Sequence, residues 1–128
     1  MSPIIEVNGL TKVFKGLTAV DNLCFSVPKG EVYGFLGQNG AGKSTTIRML
    51  LTLIRPTSGA ISILGRDLLL HRKEVLKQTG AIIEKPDLYN YLTAAENISI
   101  MARLSGVRLT KKELLLQLER VGLAERSG

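Results

Sequence analysis

Gly37-Gln38-Asn39-Gly40-Ala41-Gly42-Lys43-Ser44 is the stretch that decides how this 128-residue chain folds. It matches the phosphate-cradling pattern G-x-x-x-x-G-K-[ST]. Glycines open backbone angles that other residues avoid, so successive N–H groups can curl inward around phosphate oxygens. A helix starting near Lys43 aims the positive end of its dipole at the same anion. Lys43 is placed to reach the β- and γ-phosphates, and the Ser44 hydroxyl to ligate Mg²⁺. The binding set expected here is Gly37, Gln38, Asn39, Gly40, Ala41, Gly42, Lys43, Ser44 and Thr45.

The flanks carry the context that such a loop needs. Before it, Glu31 to Leu36 reads as a strand after the turn Pro28-Lys29-Gly30. Further upstream, Ile4 to Val7 and Leu17 to Val27 also read as strands. After the loop, Ile47, Leu50, Leu51 and Ile54 fall at helical spacing, which predicts a helix over Lys43–Ile54. Pro56-Thr57-Ser58-Gly59 stops it and leads into a strand from Ala60 to Leu64. A short helix is expected over Leu68–Gln78, a buried strand over Gly80–Glu84 and a loop over Pro86–Tyr91. Two more helices announce themselves by capping boxes, Thr93 with Glu96 and Thr110 with Glu113. The pattern is α/β. Because more than one strand precedes the loop and no Asn-Lys-x-Asp guanine-reading motif occurs, ATP is favoured over GTP.

Composition narrows the partners. The net charge of +6 is spread along the chain, with no cluster longer than His71-Arg72-Lys73. No aromatic-rich basic surface of the kind that stacks on single strands accompanies it, so no nucleic acid is expected. Cys24 is the single cysteine, which excludes an intrachain disulfide or a cysteine-rich metal centre. No apolar run is long enough to cross a bilayer, and the N-terminus lacks the pattern of a signal peptide. Contact with a membrane would then go through another subunit.

Taken together, Leu36 to Thr46, Leu10-Thr-Lys-Val-Phe14, Ala19-Val-Asp-Asn-Leu23, Pro28-Lys-Gly-Glu31, Arg55-Pro-Thr-Ser-Gly-Ala-Ile61 and Gly65-Arg-Asp67 resemble the nucleotide-binding domain of ABC transporters. The likeness runs through essentially the whole chain. It implies a P-loop NTPase (RecA-like) core with an N-terminal antiparallel β subdomain over residues 1–86, and the start of a helical subdomain over 87–128. By the same resemblance Phe14 is the aromatic that stacks on adenine, and Val20 flanks the ribose. The alternative for Phe14 is a ring packed in the core.

The family places a glutamine at the end of a strand, touching Mg²⁺ and the attacking water. Here Glu84 stands at that place, as it does in ATPases of the bacitracin- and lantibiotic-resistance exporters. The resemblance therefore implies catalytic roles for Lys43 and Glu84, and Ser44 and Glu84 as metal ligands. A carboxylate is a harder, charged oxygen donor than an amide and binds the metal differently. The competing reading leaves Glu84 in solvent or paired with Lys85.

ATP and Mg²⁺ are the implied cofactors. A transmembrane permease and a second ATP-binding subunit are the implied partners, and the inner face of the cell membrane, from the cytoplasm, is the implied location. The family's signature motif, Walker B aspartate, catalytic glutamate and switch histidine do not occur within the 128 residues. Leu104-Ser105-Gly106 imitates the start of the signature but reads as a helix end. The expectation is an exporter ATPase at family level, with weak ATP binding and almost no hydrolysis by this chain alone. The alternative is a truncated remnant that binds ATP without hydrolysing it. An ABC ATPase outside transport ranks last, since the long insertions expected there are absent.

Overall fold

Two residues, Lys15 at φ 40° and Gly16 at φ 84°, reverse the chain between β1 (Pro3–Phe14) and β2 (Leu17–Pro28). Positive φ at both turn positions matches the twist of the flanking strands and closes an antiparallel hairpin. β3 (Ser58–Ile63) lies antiparallel along the other edge of β1, and β4 (Arg66–Asp67) pairs with β3. The sheet order is β2-β1-β3-β4. β1 runs on to Phe14, well past the expected Val7, because β2 stays paired with it to the turn, Phe14 opposite Leu17. These findings come from a computed structural model that describes residues 2–37, 42–85 and 88–123.

The register of β1 on β3 shifts between Asn8 and Thr11, and Gly59 faces that irregularity at φ 97°. A Cβ at Gly59 would stand 2.5 Å from the Gly9 carbonyl oxygen and 2.6 Å from Leu10 Cα. Glycine is therefore required twice over, by angle and by space. The core gathers Val7, Leu10, Val20, Ile61 and Ile63 from the sheet with Leu68, Met49 of α1 (Lys43–Leu50) and Val75 of α2 (Arg72–Lys77).

Both helices of this unit are shorter than their apolar spacing predicts. α1 stops at Leu50 because Thr52 turns to φ 62° while Leu53 N–H donates back to the Arg48 carbonyl at 2.9 Å. Arg55, preceding Pro56, is disfavoured as helix in any case. α2 begins only at Arg72, since Asp67 Oδ1 accepts from the N–H groups of Leu69 and Leu70 and holds that stretch as a turn.

Two expected strands are absent. Glu31–Leu36 and Gly80–Glu84 form no ladder. The first keeps the alternation of a strand: Tyr33 and Phe35 pack on Phe25 of β2, each with ring centroids 5.5 Å apart, while Val32 is 100% and Leu36 94% exposed. The second is largely exposed, with Ile82 open to solvent, where burial was expected. A strand is stabilised by the hydrogen bonds and side-chain pairs of a neighbour. Neither segment has one among the described residues.

The chain divides into two compact units, Met1–Lys85 and Pro86–Gly128. In the second, α3 (Ala94–Leu104) and α4 (Lys111–Arg120) pack on each other, and each carries the full capping box expected from sequence. Leu104-Ser105-Gly106 is indeed a helix end: Val107 N–H donates to the Ala102 carbonyl at 2.8 Å and Gly106 N–H to that of Arg103 at 3.0 Å. That double bond is the Schellman closure. Asn97, buried near the start of α3, holds the loop before the helix by accepting from Tyr89 N–H at 2.8 Å and donating to the Tyr89, Leu92 and Thr93 carbonyls.

Candidate nucleotide site

Gly42 caps α1 at φ 93°, in the left-handed region, and brings no side chain to its end. A Cβ at this position would lie 2.5 Å from the Ala19 carbonyl oxygen and 3.0 Å from Val20 Cγ2. The glycine thus lets the helix start directly against β2. Thr46 N–H makes the first helical bond, to the Gly42 carbonyl at 2.9 Å, which leaves the N–H groups of Lys43, Ser44 and Thr45 without an acceptor in the helix. No acidic residue occupies the first turn. Donors left unfilled by the helix, a favourable dipole and no carboxylate in the first turn are what an incoming anion requires.

Lys43 lies beside these donors and donates from Nζ to the Gly37 carbonyl, spanning the loop from its last residues to its first. That tether is a carbonyl hydrogen bond, and among the described residues no carboxylate pairs with the ammonium, which leaves its charge for a phosphate. Ser44 and Thr45 sit half-buried in the same turn. Thr46 is different: fully buried, its hydroxyl donates to the Gly42 carbonyl at 2.8 Å and is spent on the helix. Gln38, Asn39, Gly40 and Ala41 lie outside the described residues.

The remaining expected site residues divide. Phe14 ends β1 with 42% of its surface exposed, which rejects the reading of a ring buried in the core. Lys12 Nζ stands over the ring, 5.0 Å from its centroid, while donating to the Arg55 carbonyl at 2.7 Å. Val20 lies in the core, 7% exposed, behind Gly42. From there it shapes the loop and offers little surface to a ribose. Glu84 is exposed, but its partner is neither water alone nor Lys85. Arg48 Nη2, on α1, meets Glu84 Oε1 at 3.3 Å. Sequence reasoning missed Arg48, which falls among helix-surface positions with no motif to mark it.

The residues fit a magnesium-bound triphosphate in part. Ser44 is on the open turn, and Mg²⁺ commonly takes few protein ligands and several from phosphate and water. Among the described residues no three His, Cys, Asp or Glu side chains gather into a metal-holding group. The donor set therefore suits a metal carried in on phosphate oxygens.

The family model described as ABC transporter matches residues 20–127. The chain belongs to the ABC transporter family. Similar to it within that family is the bacitracin transport ATP-binding protein BcrA of Bacillus licheniformis, 49% identical over 124 residues, an alignment covering 96% of this chain and 40% of that protein. The daunorubicin/doxorubicin resistance ATP-binding protein DrrA of Streptomyces peucetius is 46% identical over 102 residues, covering 80% of this chain and 31% of that one. A solved structure of an ATP binding subunit of an ABC transporter superimposes with a TM-score of 0.80 at 34% identity, covering 97% of this chain and 52% of that chain. The chain spans about 40% of the length of its bacitracin-transport relative. As an ABC transporter ATP-binding chain it carries the nucleotide-binding loop and the antiparallel sheet followed by helices that the family shares. Among the described residues no helix is long and apolar enough to cross a membrane.

Proposed function

We propose that this chain supplies the phosphate-gripping part of an ATPase subunit in an ABC exporter, of the kind that removes peptide antibiotics or other drugs. The observation that carries the reading is the first turn of α1, with three N–H groups that have no acceptor among the described residues and the Lys43 ammonium at one end of the loop. The chemistry these residues perform is binding and orientation. The amides and Lys43 hold the β- and γ-phosphates, Ser44 offers a hydroxyl to Mg²⁺, and Phe14 offers a ring face to adenine. The bound metal, for its part, neutralises charge on the transferring phosphoryl group.

Direction and cargo rest on likeness: the printed names of two relatives speak of bacitracin transport and of daunorubicin/doxorubicin resistance. The partners follow from the family: a membrane permease, which brings the subunit to the inner face of the membrane from the cytoplasm, and a second ATP-binding subunit that completes the sandwich around each nucleotide. The exposed Val32, Leu36 and Ile82 support a narrower corollary. With 31–36 and 80–84 forming no ladder among the described residues, the 128 residues alone hold nucleotide weakly and turn over little of it.

Calorimetric titration with magnesium-ATP tests the reading. The wild-type chain takes up the nucleotide, and Lys43→Ala lowers the affinity at least about tenfold, as removal of one charge-assisted contact does. No uptake by the wild type, or equal affinity in the variant, overturns it.

A further inference from the structure

Lys12 and Phe14 stand two residues apart in β1, so their side chains share one face of the sheet. Lys12 Nζ lies 5.0 Å from the centroid of the Phe14 ring and donates to the Arg55 carbonyl at 2.7 Å. Two further bonds join the same places. Val13 N–H donates to Thr57 Oγ1 at 2.9 Å, and Thr57 N–H to the Thr11 carbonyl at 2.8 Å. The end of β1 that carries Phe14 is thus clipped to residues 55–57, just beyond the turn that ends α1.

Phe14 pairs with Leu17, and two residues farther along β2 the Ala19 carbonyl is what a Cβ at Gly42 would strike. At about 3.4 Å per residue, Phe14 lies one strand over and about 7 Å along from the point where α1 starts against β2. That spacing suits the two ends of one nucleotide. Among the described residues no other ring or cation stands against Phe14. A cation over one face of a ring draws the π electrons toward itself, and the opposite face then repels those of a stacked purine less. The same contact narrows the freedom of the ring before a base arrives, which lowers the ordering cost of stacking.

We propose that Lys12 is a positioning residue of the base platform: anchored on the Arg55 carbonyl, its ammonium covers one face of Phe14 and sets the other face for adenine. The inference rests on the proposed nucleotide-binding function and deepens it. It makes base recognition depend on the segment that leaves the phosphate-binding helix, so the two ends of α1 serve the two ends of the ligand. The contribution of Lys12 falls on the base alone, and the grip on phosphate is untouched.

Two probes separate base from phosphate on the intact chain. Magnesium-ATP and magnesium tripolyphosphate are titrated calorimetrically, and the quantity read is the ratio of their affinities. Lys12→Met, which keeps the apolar stem and drops the charge, lowers that ratio about two- to fivefold, the range an exposed cation–π contact supports. Lys12→Arg restores a cation over the ring and keeps the ratio near the wild-type value. In a Phe14→Leu background Lys12→Met has no further effect. Circular-dichroism melting confirms that each protein is folded, and Lys12→Gln serves with the same expectation should Lys12→Met fail to fold. An unchanged ratio in the uncharged variant, or an equal fall in the Phe14→Leu background, overturns the role of Lys12, while wild-type uptake of both probes upholds the nucleotide site. No uptake of either probe by the wild type overturns both.

Discussion

β1 and the segment 31–36 carry similar strand sequences, alternating and rich in β-branched and aromatic residues, yet only one is a strand. β1 lies between β2 and β3 and its backbone is paired on both sides. Residues 31–36 pack one side on Phe25 and leave Val32 and Leu36 bare. Residues 80–84 are largely exposed and likewise form no ladder among the described residues. The difference teaches that propensity sets the alternation while a neighbouring strand sets the structure. β1, β2 and β3 find their partners within 63 residues, through a two-residue turn and one crossover. The segments that frame the phosphate loop do not find theirs among the described residues.

The comparison breaks most sharply at Gly59. Gly59→Val drives a Cβ into the Gly9 carbonyl and forces a branched residue to φ 97°, so the sheet should lose about 3 kcal/mol or more, measured by urea denaturation. A near-neutral result would mean that β1 and β3 do not approach as closely as the register requires.

An intermediate case is the capping box of α4, which depends on no distant partner. Thr110→Ala should cost about 1 kcal/mol in the same assay. Acid should act on the same group. The Glu113 carboxyl is held below its ordinary value of 4.5, first by the backbone N–H of Thr110 and then by its hydroxyl. A carboxyl depressed by folding contributes stability that is whole above its unfolded pKa and is lost as pH falls through the lower folded one. The melting midpoint of α4, followed by far-ultraviolet circular dichroism, should therefore fall as pH drops below 4.5 in wild type, and that component of the fall should be missing in Glu113→Gln.

The smallest effect belongs to the unpaired segment. Val32→Lys should change stability by no more than about 0.5 kcal/mol, because Val32 is fully exposed. A loss well above 1 kcal/mol would show that 31–36 is packed in solution and would erase its contrast with β1.

Much of this was legible in the residues. The capping boxes at Thr93 and Thr110, the helix end at Gly106, the helix after the phosphate loop and the antiparallel β segment all rest on interactions within a few residues or on a resemblance spread along the chain. The extra length of β1, up to Phe14, was not visible, because it depends on β2 as a neighbour. The two missing strands were misread for the converse reason. Asn97, near the start of α3, carried no motif to mark it, because its partners lie in the loop before the helix. Arg48 carried none either, since its partner lies 36 residues away and nothing in local sequence joins the two.

The direct test of the nucleotide site is amide hydrogen exchange read by mass spectrometry, with and without magnesium-ATP. Addition of the nucleotide should slow exchange across the loop and the first turn of α1, at Lys43, Ser44 and Thr45, and leave the amides of β1 as they were. Lys43→Ala should largely abolish the slowing. Unchanged exchange at those three amides at saturating nucleotide, or equal slowing in the variant, would contradict the account.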